Sequence, residues 1–161
     1  MTVPTVPPHD PAHGTPEDDW TLGEAREWLR LRTEGGASCP CCTQFAKVYR
    51  RRINSAMARG LATLFRNAGQ TFSHTPTLVR SHEFAQLQWW ELIEADDVVR
   101  DVGRSGMWRV TDKGRAFLQE TITVPKYARV YDQRLLDLVG DEVGIRDALG
   151  SRYKLEDLLG R

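Results

Sequence analysis

From Gly35 to His82 the chain has no acidic residue. That window carries seven basic ones: Lys47, Arg50, Arg51, Arg52, Arg59, Arg66 and Arg80. The whole protein balances 22 Lys+Arg against 22 Asp+Glu, so the remainder holds 15 basic and 22 acidic residues. A +7 segment in a −7 remainder is the charge pattern of a nucleic-acid footprint on an otherwise acidic surface. The competing explanation is a solvated basic face that binds nothing, and net charge alone does not separate the two.

Other absences narrow the class. There is no apolar run of membrane-spanning length, which excludes a transmembrane helix. The opening MTVPTVPPHDPAHGTPEDD has neither a basic n-region nor an apolar h-region, so it does not read as a signal peptide. The three cysteines, Cys39, Cys41 and Cys42, are odd in number and too close together for a disulfide framework. The expectation is a cytoplasmic protein without a membrane partner. Gly-rich phosphate loops, His-Glu-x-x-His and Gly-x-Ser-x-Gly are all missing, and the carboxylates are scattered, so no enzyme is expected. Glu94, Asp96, Asp97 and Asp101 read as an acidic strand edge rather than a metal site.

What is present suits one domain with appendages: 161 residues, 40% hydrophobic, five tryptophans. Residues 1–18 are proline-rich without apolar periodicity and read as a disordered tail. Thr21-Leu22-Gly23-Glu24 is a capping box that opens a first helix, closed by Gly35 and Gly36. From about Gln44 to Asn67, Phe45, Val48, Tyr49, Ile53, Met57, Leu61 and Leu64 step by three and four, which predicts one long amphipathic helix bearing Lys47, Arg50 and Arg51. Thr75-Pro76 opens a short helix, and Ser81 caps another running to about Ile93. Val98-Val99 and Trp108-Arg109-Val110 flank a glycine-tipped hairpin, after which Thr111 caps a helix to about Gln119. Residues 120–161 read as an extension: a hairpin around Asp132-Gln133, then two short helices. That extension suits a dimerisation arm, a docking surface or a cover for the core.

This order, with the segments Leu87-Gln-Trp-Trp-Glu-Leu-Ile93 and Trp108-Arg-Val-Thr-Asp-Lys-Gly-Arg-Ala-Phe-Leu118, resembles the recognition helix, wing and following turn of winged helix-turn-helix proteins over residues 44–119. More narrowly, the Cys39-Pro-Cys-Cys turn with its downstream arginines, together with Val124-Pro-Lys-Tyr-Ala-Arg-Val-Tyr131, is similar to small uncharacterised bacteriophage and prophage proteins, a likeness that implies no activity. The resulting expectation is an α+β fold. Residues 19–119 would form an N-terminal helix plus winged-helix domain, and 120–161 a small C-terminal β-hairpin and helix extension.

The winged-helix resemblance implies a duplex DNA-binding regulator. Lys47, Arg50 and Arg51 would anchor phosphates. Arg80, Ser81, His82 and Gln86, with Gln88 nearby, would present base-reading groups from the start of the recognition helix. Arg104 at the hairpin tip would enter the minor groove, although Asp101 beside it weighs against that. The rival expectation is a module that docks on and modulates a host protein, which Glu83 favours as an odd neighbour for phosphate.

Cys39 and Cys42 have the spacing of a zinc knuckle. A closed zinc site needs four ligands, and no second cysteine pair exists. His74 and His82 are candidates to complete it, as is a second chain in a homodimer. Otherwise the turn is a vestigial knuckle of reduced thiols.

Overall fold

The computed structural model describes residues 10–74, 83–96, 99–100, 103–104 and 106–160, with 99–100 and 103–104 as strand backbone only. The described chain is α+β. It divides into two compact units, Met1–Tyr49 with Val130–Arg134, and Arg50–Arg129 with Leu135–Arg161.

In the first unit, helix α1 (Leu22–Arg32) begins at the expected capping box. Thr21 Oγ1 accepts from the Glu24 N–H at 3.3 Å, and a Glu24 carboxylate oxygen accepts from the Thr21 N–H at 2.7 Å. Two orphan amides are thereby satisfied reciprocally. The helix stops at Arg32, before the two glycines. Residues 10–14 form a turn tied to it: Trp28 Nε1 donates to the Gly14 carbonyl, and the Arg32 guanidinium donates to the carbonyls of Pro11 and Ala12. Strands β1 (Ala37–Ser38) and β2 (Phe45–Ala46) then pair antiparallel around the cysteines.

The long helix expected from 44 to 67 is corrected here. Its first half is strand: β2, then β3 (Tyr49–Arg52). Helix α2 covers only Ser55–Ala68. The boundary is Asn54, whose extended backbone (φ −129°, ψ 173°) and side-chain oxygen, accepting from the Met57 N–H at 3.0 Å, make it the N-cap. One residue earlier, the Ile53 N–H donates to the Lys126 carbonyl at 3.1 Å, outside any helix. Lys47, Arg50 and Arg51 therefore sit on no helix.

After α2 come β4 (Ser73–His74), a 3-10 helix (Phe84–Trp90), β5 (Ile93–Ala95), the pair β6 (Val99–Arg100) and β7 (Gly103–Arg104), β8 (Met107–Val110), and α3 (Asp112–Leu118). The helix expected from Ser81 to Ile93 is thus a 3-10 helix that ends early, because Glu91 turns left-handed (φ 60°) and Ile93 enters β5. Its start at Ser81 lies outside the described residues. Phe84, Leu87 and Trp90, spaced by three, are all buried, which is the eclipsed line that three residues per turn produces. β8 lies between β4 and β5, with Trp108 opposite both Ser73 and Ala95.

Thr111 caps α3 as expected. Its hydroxyl accepts from the Gly114 N–H at 3.0 Å and donates to the Glu91 carbonyl at 2.6 Å, joining the helix to the end of the 3-10 turn. The tail of the chain forms β9 (Val124–Tyr131), β10 (Arg134–Val143), α4 (Ile145–Leu149) and α5 (Leu155–Leu159). The turn at Asp132 and Gln133 (φ 48° and 59°) is where the sequence placed it, and two left-handed residues suit a tight hairpin. The sheet order is β10-β9-β3. Within the second unit, α4 and α5 pack on α2, and Val124, Ile145, Leu149 and Leu155 join Met57, Leu61, Leu64 and Phe117 in the buried core. The C-terminal segment therefore completes a core. Among the described residues no helix is long and apolar enough to cross a membrane.

Candidate nucleic-acid interface

β3 presents Arg50, Arg51 and Arg52 in succession, all exposed. The Arg50 guanidinium lies 4.6 Å from the centre of the Tyr127 ring, a cation–π contact that fixes its direction while leaving its N–H groups at the surface. Arg52 lines a cleft of about 360 Å³ with Ile53, Lys126, Glu142, Val143, Asp147 and Ala148. Two cations face two carboxylates there, so the cleft has no net charge to attract a phosphate. Lys47 lies between β2 and β3 and is half-buried.

α2 retains part of the basic window. Arg59 stacks 4.4 Å from the Tyr153 ring centre and donates to its hydroxyl at 3.1 Å, whereas Arg66 is exposed in the last turn, where a cation suits the helix dipole. Asn54 donates to the Glu83 carboxylate at 2.7 Å, so the acid that sits oddly beside a phosphate site is held by the N-cap of α2.

The 3-10 helix supplies the remaining described candidate. Gln86 is half-buried and Gln88 exposed, on the two different rows that flank the Phe84–Leu87–Trp90 line. That line is anchored hard: Phe84 meets Trp108 edge-on at 6.3 Å, and Trp90 Nε1 donates to the Pro125 carbonyl at 2.6 Å. A buried indole N–H with a partner is a stable arrangement, so the element presents its glutamines from a fixed base. Arg80, Ser81 and His82 lie outside the described residues. Arg104 lies on β7, opposite Val99.

Of the expected acidic strand edge, Asp97 and Asp101 lie outside the described residues. Glu94 on β5 stands opposite Arg109 on β8 and pairs with its guanidinium, which also lies 4.8 Å from the Phe72 ring centre. Glu91 accepts from Lys113 Nζ at 2.9 Å, and this hydrogen bond holds its carboxyl below the ordinary glutamate range.

The cysteine turn joins β1 to β2. The Cys39 N–H donates to the Gln44 carbonyl at 2.8 Å, and the Thr43 N–H donates back to the Cys39 carbonyl at 2.8 Å. Cys39 is half-buried and Cys41 and Cys42 are exposed, all as free thiols. The neighbouring backbone amides of Cys41 and Cys42, and the side chains of both, hold the Cys39 thiol below its usual range. Among the described residues no three His, Cys, Asp or Glu side chains gather to hold a metal ion. His74 lies on β4, in the other unit, and His82 is not described.

Two features escaped the sequence reading. Arg52 was not singled out, because a helix would have turned it away from Arg50. Thr43 adopts φ 61°, rare for a β-branched residue, where a glycine would have announced the turn. Comparison with protein families, with curated proteins and with solved structures gave no match.

Proposed function

We propose that this chain is a duplex DNA-binding winged-helix protein, a transcriptional regulator of the bacteriophage or prophage type. The observation that carries the reading is topological. After α2, the chain runs β4, 3-10 helix, β5, a short hairpin and β8, and β8 occupies the centre of the β4-β8-β5 sheet. This order among the described residues agrees with a winged helix, with the reading element before β5 and the wing between β5 and β8; the short helix expected from Thr75-Pro76 lies outside the described residues. Gln86 and Gln88, on the two rows that flank the buried line of the 3-10 helix, have the amides that pair with adenine edges. Arg50, exposed on β3, supplies backbone attraction.

The test is a gel-shift against the intergenic DNA flanking the gene, repeated over a salt series. A DNA binder loses affinity linearly in log salt, and replacing a phosphate-contacting arginine lowers that slope by about one. Arg50→Ala should weaken binding to specific and random DNA alike, whereas Arg51→Ala, on the opposite face of β3, should change it little. Absence of binding at low salt would overturn the reading in favour of a module that docks on a host protein. That rival has its own observation: β10 is a ten-residue edge strand with Leu135 and Leu136 exposed, a form that invites strand addition.

A further inference from the structure

We propose that this chain binds a free aliphatic α-amino acid, as its zwitterion, in the cleft where β3, β9, β10 and α4 meet. The cleft measures about 360 Å³, at the small end of the roughly 300–1,000 Å³ of ligand sites, which suits one amino acid rather than a peptide. Three strand ends build it. β3 ends at Arg52, Lys126 lies near the start of β9, and Glu142 lies near the end of β10. The Ile53 N–H donates to the Lys126 carbonyl at 3.1 Å, which ties the two cation-bearing segments together. β10 lies on the far side of β9 from β3, so Glu142 enters the cleft from the edge opposite Arg52. Asp147 follows in the first turn of α4. Its Oδ2 accepts from the Gly144 N–H at 2.8 Å, which holds the carboxylate in place and leaves Oδ1 for a ligand.

The four charges do not neutralise one another. Among the described residues Arg52 and Glu142 have no ion pair, and the Lys126 ammonium lies only against the Tyr127 ring, 5.6 Å from its centre. Charges of both signs gathered in one cleft, with those bonds unmade, favour a ligand that carries both signs itself. A simple anion gains from Arg52 and Lys126 what it loses to Glu142 and Asp147, and a simple amine meets the reverse. A zwitterion gains from both pairs. Its carboxylate suits the planar guanidinium fork of Arg52, and its ammonium suits Glu142 and Asp147. The apolar lining selects the side chain. Ile53 and Ala148 are buried, at 2% and 5% exposure, and Val143 is half-buried beside them. They offer an aliphatic wall, where a polar or charged side chain would lose its water without finding a partner. Binding makes and breaks no covalent bond.

The experiment titrates the full chain with L-leucine and L-valine by calorimetry, and follows Tm in parallel, since a ligand of the folded state raises it. At least one of the two should bind, one per chain. For the one that binds, the N-acetyl derivative lacks the ammonium and the amide derivative lacks the carboxylate. Each should bind more weakly by about tenfold or more, the loss expected for one charge-assisted hydrogen bond. Arg52→Gln should weaken the amino acid by a similar factor and close the gap between it and its amide. Glu142→Gln should instead close the gap between the amino acid and its N-acetyl derivative. Each variant thus reads out one end of the ligand, which a general loss of structure would not do. The derivative series on the wild type does not depend on whether either variant folds. No binding of leucine or valine at millimolar concentration, equal binding of the amino acid and both derivatives, or full affinity in folded Arg52→Gln and Glu142→Gln would each overturn the proposal. The outcome is separate from that of the gel-shift, because the cleft is assigned without reference to DNA.

Discussion

Gly114→Ala is the sharpest test of how the second unit is built. Gly114 lies in α3, where alanine is the better helix former by about 1 kcal/mol. On propensity alone the variant should gain stability. The structure forbids it. A Cβ at this position would stand 2.8 Å from Val110 Cγ1 and 3.0 Å from the Leu92 carbonyl carbon, with the carbonyl oxygen closer still. Carbon pairs prefer about 3.5–4.0 Å, so α3 would have to retreat by the better part of an ångström. The obstacle is backbone rather than a movable side-chain tip. The Leu92 carbonyl also accepts from the Thr111 N–H at 3.2 Å, and retreat stretches that bond and the Thr111–Glu91 bond beside it. Overpacking of this kind costs about 1–3 kcal/mol, and a backbone obstacle belongs at the top of that range. Less the propensity gain, the net loss is about 2 kcal/mol. In urea that moves the midpoint down by roughly 1 M at a slope of about 2 kcal/mol/M, and it lowers Tm by roughly 4–8 °C. Gly23→Ala is the control: its nearest neighbour would be 3.9 Å away, so it should be neutral or slightly stabilising. Equal stability of Gly114→Ala and wild type would refute the packing argument.

Three further outcomes are expected. Asn54→Ala should cost about 1–2 kcal/mol in chemical denaturation, because it removes the cap of α2 and the bond to Glu83; Asn54→Asp, which caps but repels Glu83, should fall between it and wild type. Gln86→Ala should cost about 1–3 kcal/mol of affinity on a preferred DNA site and little on scrambled DNA, measured by paired titrations at one salt concentration; equal losses would remove Gln86 as a base reader. Glu120 and Glu156 both accept from Arg146, at 2.5 Å each, and these bonds hold both carboxyls below the ordinary glutamate range. Carboxyls lowered in the folded state add stability that is present above their unfolded value and lost as pH falls through the folded one. Arg146→Ala should therefore flatten the decline of stability between neutral and acid pH, less so in high salt, as an acid-denaturation series would show.

Local signals were legible and non-local ones were not. The capping box at Thr21, the cap at Thr111 and the hairpin turn at Asp132-Gln133 all rest on residues close together in sequence, and all stand where the sequence put them. The misread stretch was 45–52. Phe45, Val48, Tyr49 and Ile53 happen to step like a helix, and β3 is exposed along its whole length, so the alternation that marks a half-buried strand is missing. Its partner β9 lies far along the chain, and nothing local announces it. Asn54 was the available signal, a good cap read as an interior residue. Of the expected site residues, Gln86 stands half-buried beside a buried line, whereas the basic residues of the imagined helix separate onto a strand and a loop.

Successive side chains on a strand point to opposite faces. The run Arg50-Arg51-Arg52 on β3 is therefore sorted by parity. The even-numbered pair shares one face, where Arg50 rests on Tyr127 and Arg52 borders a charge-balanced cleft, and Arg51 shares the other with Tyr49. A helix would have fanned the three around its circumference, and a disordered tail would have offered all of them to any passing polyanion. The strand divides them, so no single straight partner can meet all three. Charge counted along this chain overstates the charge that any one surface can bring to bear.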